Sequence, residues 1–218
     1  MKLFIDTGNL DEIKKAAELG VLDGVTTNPT LISKEKVDFF TRLREICAIV
    51  PGPVSAEVVS TNMDGMLKEA AELIKIAPNI TIKLPTTHEG VRACKRLSDK
   101  GTKVNMTLCF QALQALVVAK AGATFVSPFV GRFDDIAEEG MQVIHTIRKI
   151  YDNYHFKTQI LAASLRSPLH IVQAALAGAD VCTVPYSVLE KMLNHPLTEI
   201  GLKKFLEDWE KGHPQHNT

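Results

Sequence analysis

The chain has 218 residues, 45% of them apolar and 23% charged, so it is long enough for one domain or two small ones with an ordinary core. Its 25 basic and 25 acidic side chains give zero formal net charge, which argues against a dedicated nucleic-acid or anionic-membrane binder. The longest uncharged stretch, Val104 to Ala119, has 16 residues and is too short and too polar to span a bilayer.

Eight short β-like runs recur along the chain, and their starts lie 21 to 35 residues apart, which leaves room for one helix between neighbours. Strands that alternate with helices predict a parallel sheet, because parallel strands need crossover connections. Eight such units predict an α/β fold of the (β/α)8 TIM barrel type. An open doubly wound sheet is the alternative, but its G-x-G-x-x-G signal is absent. The runs are Leu3–Thr7, Gly24–Asn28, Val54–Val59, Ile80–Pro85, Lys103–Leu108, Thr124–Val130, Gln159–Ser164 and Val181–Pro185.

Helical segments fill the gaps between these runs. In the first, Asn9 is a suitable N-cap and Glu12 could complete a capping box. An extra amphipathic helix at about 196–212 follows the eighth run and either covers its own barrel or contacts a neighbouring subunit, and residues 212–218 are expected to be loose. No linker rich in Gly, Ser or Pro divides the chain, which predicts a single domain over 1–218. Other helical patterns cover Ala70–Ile76, Ala112–Ala119, Ile136–Ile150 and Ile171–Ala177.

Polar side chains share one face of several predicted strands, since side chains alternate between the two faces. The apolar set should face the helices, so the polar set should face the lumen near the carboxyl ends of the strands. Buried charges without partners are costly, and active sites of this fold lie at that end. The pairs that share a face are Phe4 with Asp6, Thr26 with Asn28, Ser55 with Glu57, Thr81 with Lys83, Asn105 with Thr107, and Ser127 with Phe129.

Lys83 is the most informative residue, because a lysine inside an apolar strand is rare unless it is paired. It could form a structural ion pair with Glu57 or Asp6. Alternatively it is a Schiff-base nucleophile, which must be neutral to attack a carbonyl. The seven histidines form no H-E-x-x-H and lie in none of the predicted strands, so we expect no metal site and no cofactor.

Cysteine usage and the N-terminus predict a cytoplasmic protein. Asp6 follows only three apolar residues, which leaves no room for a signal-peptide core. The cysteines lie singly in apolar surroundings, which predicts reduced core thiols rather than disulfides or a zinc site. They are Cys47, Cys94, Cys109 and Cys182.

Three segments resemble the signatures of the transaldolase family: Asp6-Thr7-Gly8-Asn9, the stretch from Asp23 to Ile32 with the sequence DGVTTNPTLI, and Ile82-Lys83-Leu84-Pro85. The resemblance covers essentially the whole chain, and the length matches the small branch that includes the fructose-6-phosphate aldolases. It implies a class I aldolase barrel in which the lysine of the fourth strand, Lys83, forms the Schiff base.

The resemblance also implies roles for further residues. Asp6 moves the proton of the C4 hydroxyl, and Glu57 and Thr107 position a catalytic water. Asn28 and Asn105 hold substrate hydroxyls, whereas Ser127, Arg132 and Arg166 match the phosphate-binding positions. Each has a structural alternative: Asp6 could be a cap or pair with Lys83, Asn28 could belong to a turn, and Glu57 could only pair with Lys83. Likewise Thr107 and Ser127 could be small strand residues, Arg132 could pair with Asp134 or Asp135, and Arg166 could be an exposed loop cation.

Three positions separate a transferase from a lyase within this resemblance. Transaldolases carry glutamate at the water-binding position and phenylalanine on the sixth strand, where the aldolases typically have glutamine and tyrosine; here they are Glu57 and Phe129. Asn105 also matches transaldolases. The residues therefore favour a transaldolase that passes a dihydroxyacetone unit between sugar phosphates. The alternatives are a lyase that releases free dihydroxyacetone, a non-catalytic sugar-phosphate-binding barrel and, more weakly, an isomerase with Glu57 as base.

The resemblance implies a homo-oligomer as well, because the small branch commonly forms pentameric rings and decamers in which the last helix reaches a neighbour. The final helix carries an apolar stripe that allows such a contact. The stripe consists of Leu202, Phe205, Leu206 and Trp209.

Overall fold

Short apolar strands alternate with helices until the sheet closes on itself, and the last strand pairs with the first. The computed structural model describes residues 1–213, in which eight parallel strands form a closed barrel in sequential order. This confirms the predicted (β/α)8 barrel. The strands are β1 (Lys2–Asp6), β2 (Gly24–Thr26), β3 (Val54–Glu57), β4 (Ile80–Pro85), β5 (Val104–Cys109), β6 (Phe125–Pro128), β7 (Gln159–Ala162) and β8 (Val181–Val184).

Helices follow every strand of this barrel among residues 1–213, and β2, β6 and β8 are each followed by two helices. Their bounds are α1 (Leu10–Glu18), α2 (Pro29–Lys34), α3 (Phe39–Ile49), α4 (Met63–Leu73), α5 (His88–Ser98), α6 (Ala112–Lys120), α7 (Val130–Asp134), α8 (Met141–Tyr154), α9 (Pro168–Leu176), α10 (Tyr186–Leu193) and α11 (Pro196–Gly212). No helix among residues 1–213 is long and apolar enough to cross a membrane.

The helix predicted over Ile136–Ile150 is wrong at its start, since α8 begins only at Met141. Ala137 adopts a left-handed conformation that breaks the helix, and a Cβ at Gly140 would lie 2.3 Å from the carbonyl oxygen of Val130. The backbone therefore folds closely onto α7 before α8 begins.

The predicted capping box at α1 is also not formed. Asn9 caps the helix as expected, because its side chain accepts hydrogen bonds from the backbone N–H groups of Asp11 and Glu12. Glu12 does not bond back to Asn9, and its carboxylate instead accepts a hydrogen bond from the hydroxyl of Thr7. The carboxylate thus ties the end of β1 to the first turn of α1.

Two apolar regions hold the barrel together. The larger lies between the strands and the helix layer, and it takes up the outward-facing side chains of all eight strands. The smaller fills the lower lumen, where the rings of Phe4 and Phe125 meet edge to face at 6.1 Å between centroids, next to Leu161 and Val181. Asp6 follows Phe4 on the same face of β1, so the lumen is apolar at its floor and polar at its mouth.

The terminal helix α11 confirms the predicted bounds of 196–212 but not the idea that it covers its own barrel. None of its residues is buried, and Phe205 and Leu197 are 73% and 70% exposed. Gly212 ends this helix, whereas most of the segment expected to be loose lies outside the described residues.

Candidate active site

A cavity of about 180 Å³ opens at the carboxyl ends of the barrel strands, the end at which the sequence placed the polar side chains. Seven of the ten predicted site residues line it: five come from five different elements, and the other two are the N-cap residues of α2 and α7. Glu57 and Asn105 adjoin it through direct contacts with lining residues, whereas Arg166 is not part of its wall. The predicted residues in the lining are Asp6, Asn28, Lys83, Thr107, Ser127, Phe129 and Arg132.

Lys83 lines this cavity and is 6% exposed. The barrel register sets Glu57 of β3 beside Lys83 of β4, and the Lys83 Nζ lies 3.0 Å from the Glu57 carboxylate. The same nitrogen donates a hydrogen bond of 3.0 Å to the backbone carbonyl of Thr27. The amine therefore points into the mouth of the barrel, and the carboxylate beside it can accept its proton.

Asp6 lies at the end of β1 and belongs to a chain of hydroxyl groups. The Thr26 hydroxyl donates to Asp6 Oδ1 at 2.6 Å, and the Thr26 and Thr183 hydroxyl oxygens are 2.7 Å apart. Because Thr26 uses its single proton on the carboxylate, Thr183 must be the donor within this pair when Asp6 is ionised. Burial raises the pKa of Asp6, while the positive charge of Lys83 and the Thr26 hydrogen bond oppose that rise.

Asn105 supports the cavity from below. It is fully buried, its amide donates to the Ser55 hydroxyl at 3.2 Å, and its oxygen accepts from the Ser127 hydroxyl at 2.7 Å. The interactions fix the orientation of the amide and leave one N–H donor uncommitted. Ser127 itself lines the cavity, whereas Asn105 does not. Asn105 therefore influences a molecule bound in the cavity mainly by orienting the Ser127 hydroxyl.

Asn28 and Thr107 each present a polar group to the cavity. The Asn28 oxygen accepts a hydrogen bond from the backbone N–H of Leu31 and caps α2. The turn alternative is therefore correct for this oxygen, but it does not involve the NH2 group of the side chain. Asn28 also lines the cavity. The buried Thr107 hydroxyl has no hydrogen-bond partner within residues 1–213, and a buried polar group of this kind is stabilised by a bound polar molecule.

The two arginines differ in position. Arg132, on α7, lines the cavity mouth. Arg166 is half-exposed at the rim, and it forms the ion pair with Asp135 that the sequence had suggested for Arg132. Phe129 closes one wall, with its ring 5.8 Å from that of Phe110. The cavity thus carries one cation at its mouth and a second nearby.

Sequence reasoning did not single out the hydroxyl chain as part of the site. Alternation predicts that Thr26 faces the lumen, but no sequence pattern connects its hydroxyl group with Asp6. Alternation along the eighth strand would have found Thr183, because it shares a face with Val181 of the lumen cluster. The Thr27 carbonyl has no sequence signal, since any residue could supply it.

Comparisons with known proteins agree with this geometry. A family model described as Transaldolase/Fructose-6-phosphate aldolase matches residues 3–215. A probable transaldolase of Geotalea daltonii is 59% identical over 211 residues, which are 97% of this chain and 99% of that protein. A probable transaldolase of a Geobacillus species is 59% identical and one of Thermodesulfovibrio yellowstonii 56% identical, over the same shares of both chains. The chain therefore belongs to the transaldolase/fructose-6-phosphate aldolase family.

Proposed function

We propose that this protein is a transaldolase that transfers a dihydroxyacetone unit from sedoheptulose 7-phosphate to glyceraldehyde 3-phosphate through a Schiff base on Lys83. The products are erythrose 4-phosphate and fructose 6-phosphate. The observation that carries this proposal is the buried amine of Lys83 in the cavity, 3.0 Å from the carboxylate of Glu57. The reaction belongs to the non-oxidative pentose phosphate pathway in the cytoplasm, and its chemistry needs no cofactor.

Schiff-base formation uses three groups around the ketone. Glu57 accepts a proton from the Lys83 ammonium group, and the free amine attacks C2 to form a carbinolamine. The C2 hydroxyl then leaves as water when Glu57 returns a proton, and this yields the iminium. The Thr107 hydroxyl, buried and without a protein partner among the described residues, is placed to hold that water.

Cleavage of the C3–C4 bond uses Asp6 as the base. The Asp6 carboxylate removes the proton of the C4 hydroxyl, the bond breaks, and its electron pair moves to the iminium to give an enamine and an aldehyde. Burial keeps the pKa of Asp6 above its ordinary value, which makes this carboxylate a stronger base than an exposed one. In the second half-reaction the enamine attacks the acceptor aldehyde, and Asp6 gives the proton back.

Phosphate and hydroxyl groups of the sugar are assigned to the remaining polar residues. Arginine matches a phosphate by parallel N–H donors, and Arg132 and Arg166 lie on the same side of the cavity mouth, after β6 and β7. Asn28 presents its amide to the sugar hydroxyls, and Ser127, which Asn105 orients, presents its hydroxyl oxygen.

Transfer of the dihydroxyacetone unit, rather than its release, is supported by Glu57, Phe129 and Asn105. At these three positions the residue types match those of transaldolases. A tyrosine in place of Phe129 would add a hydroxyl group to the cavity wall, from which it could donate a proton to the enamine. A phenyl ring cannot do this, so the enamine survives until an acceptor arrives. If the enzyme is instead a fructose-6-phosphate aldolase, free dihydroxyacetone is released without an acceptor.

Borohydride trapping tests the proposal directly. Incubation with fructose 6-phosphate and borohydride should attach a reduced adduct to the peptide that contains Lys83, as read by mass spectrometry. Lys83→Met should abolish the adduct, whereas Lys75→Met, which removes an exposed lysine paired with Glu72, should not. Absence of an adduct in the unmodified protein would leave only a non-catalytic sugar-phosphate-binding barrel or an isomerase.

An assay with fructose 6-phosphate, with and without erythrose 4-phosphate, separates the two enzymatic alternatives. Formation of sedoheptulose 7-phosphate only in the presence of erythrose 4-phosphate identifies the transferase. Free dihydroxyacetone formed without that acceptor identifies the lyase and would contradict the proposal.

We also propose that the protein is a homo-oligomer, with a decamer of two pentamers as the expected state. The supporting observation is α11, which buries none of its residues against its own barrel and exposes an apolar stripe that includes Phe205 and Trp209. Such a stripe is unfavourable in water and is typical of a surface that packs against another chain.

A further inference from the structure

Arg166 is held at the rim of the cavity by a two-pronged ion pair with Asp135. Its Nη1 contacts Asp135 Oδ1, and its Nη2 lies 2.7 Å from Asp135 Oδ2. Both side chains are roughly half-exposed. Asp135 raises the pKa of Arg166, and Arg166 lowers the pKa of Asp135, so both groups are charged at neutral pH. The terminal edge of the guanidinium is therefore fully engaged.

The other edge of Arg166 lies against the backbone. A Cβ at Gly131 would come within 2.8 Å of Arg166 Nε and 2.3 Å of the Ser164 carbonyl oxygen, so only glycine leaves room here. The Gly131 N–H donates to that carbonyl at 3.1 Å and fixes α7 beside the segment after β7. The cavity wall contains Arg132 and Ser164 but not Arg166, so the guanidinium is paired with Asp135 beside the cavity rather than within it.

We propose that Asp135 is a specificity-determining residue that competes with the phosphate group of the substrate for Arg166. The proposal rests on the proposed function, in which Arg166 binds phosphate. Carboxylate and phosphate both pair with the same fork of N–H donors, so they cannot occupy the terminal edge of Arg166 together. A phosphorylated sugar must therefore displace Asp135, whereas a sugar without phosphate leaves the pair intact.

The size of the effect follows from the exposure of the pair. Exposed ion pairs are weak, so displacement of Asp135 should lower the affinity for phosphate by only about two- to fivefold. The neighbouring negative charge acts in the same direction, because it repels the phosphate. Asp135 thus reduces the retention of inorganic phosphate and of phosphorylated products at the rim.

Asp135→Asn tests this inference, with inorganic phosphate as the probe. The variant should bind inorganic phosphate about two- to fivefold more tightly by calorimetry, and its KM for fructose 6-phosphate should fall by a similar factor. Because unphosphorylated fructose does not use Arg166, its KM and its kcat should stay unchanged. A merely structural role of Asp135 would not separate the two substrates in this way.

Asp134→Asn is the matched control. It removes the same charge from the adjacent position, but Asp134 lies 3.4 Å from His170 Nε2 and makes no ion pair with Arg166. Its effect on phosphate affinity should be clearly smaller. In an Arg166→Ala background, the gain from Asp135→Asn should shrink to that of Asp134→Asn, since only the relief of charge repulsion remains once the competition for Arg166 is removed.

A rise in KM for fructose 6-phosphate in Asp135→Asn would overturn the inference and show that Asp135 orients Arg166 for phosphate. An unchanged phosphate affinity, or one that merely equals that of Asp134→Asn, would overturn it too. Calorimetry with phosphate does not depend on turnover, whereas trapping at Lys83 does not depend on Asp135. Failure of this inference is therefore distinguishable from failure of the proposed function.

Discussion

Replacement of Thr26 by valine tests whether the hydroxyl chain controls Asp6. Valine has nearly the same shape as threonine, so the variant keeps the packing of β2 while it removes one hydroxyl. Asp6 then loses the 2.6 Å hydrogen bond to its Oδ1, and Thr183 loses the oxygen that lies 2.7 Å away. Thr26 is 2% exposed, so water has little access to replace these contacts.

The expected change in the pKa of Asp6 follows from the difference between hydrogen bonds to charged and to neutral groups. A hydrogen bond to an ionised group contributes about 1.5–3 kcal/mol, and one to a neutral group about 0.5–1.5 kcal/mol. Loss of the donor therefore disfavours ionised Asp6 by about 1–1.5 kcal/mol more than protonated Asp6. The pKa of Asp6, which burial already raises, should rise further. At about 1.4 kcal/mol per tenfold change, the ionised fraction falls about tenfold on the acid side.

The pH profile of kcat/KM for transfer from fructose 6-phosphate to erythrose 4-phosphate is the appropriate assay. The acid limb, where the base must be ionised, should move to higher pH in Thr26→Val, and activity should recover at alkaline pH. Thr26→Ser keeps the hydroxyl and should return the limb toward its original position. A loss of activity that is equal at every pH would refute the proposed link between Thr26 and the protonation of Asp6.

Urea unfolding of the same variants gives a check that does not depend on turnover. A carboxyl group whose pKa is raised by folding reduces stability as the pH rises through that folded-state pKa. Thr26→Val should therefore lose about 1.5–3 kcal/mol of unfolding free energy on the alkaline side of the Asp6 titration, where the carboxyl group is ionised, and less on its acid side, where the group is protonated. A difference between the two proteins that does not grow with pH would contradict this account of Asp6.

Two further predictions concern the chemistry and the assembly. Phe129→Tyr should increase the release of free dihydroxyacetone from fructose 6-phosphate without an acceptor, measured by coupled reduction; no increase would count against the role given to the missing hydroxyl. Leu202→Glu combined with Phe205→Glu should lower the mass measured by light scattering, because both apolar side chains are exposed on α11, whereas Lys203→Glu on the same helix should not. An unchanged mass in the double variant would show that α11 is not an interface.

Most of the site residues could be predicted from the alternation of side chains between the two faces of each strand. A period of two assigns each polar side chain to the lumen or to the helix layer, and closure of the barrel then gathers the lumen set at one end. Asp6, Asn28 and Lys83 could be placed in this way, although they are far apart in sequence. The pairing of Glu57 with Lys83 was one of two stated possibilities, and the strand register decided it.

Contacts that depend on register or on loop geometry could not be predicted. The approach of Thr183 to Thr26 depends on how β8 and β2 flank β1, and no local pattern encodes this arrangement. The ion pair of Arg166 with Asp135 joins residues 31 positions apart through two loops, whereas the sequence suggested only, as a structural alternative, that Arg132 could pair with Asp134 or Asp135. The late start of α8 likewise depends on one close backbone contact rather than on apolar spacing.

The division of the lumen into two levels explains why a charged site is tolerated in this barrel. Phe4 and Asp6 follow one another on the same face of β1, and Phe125 and Ser127 do so on β6. The apolar side chains fill the floor, where the outward faces of the strands already supply a continuous core, and no water can solvate the polar side chains from below. Lys83 must then neutralise its charge against Glu57, and Asp6 is held by hydroxyl groups instead of water. The apolar cluster of the lower lumen, which stabilises the barrel, thus also keeps water away from Asp6. This is the physical reason why burial raises the pKa of Asp6 and why that pKa depends on the hydrogen bond from Thr26.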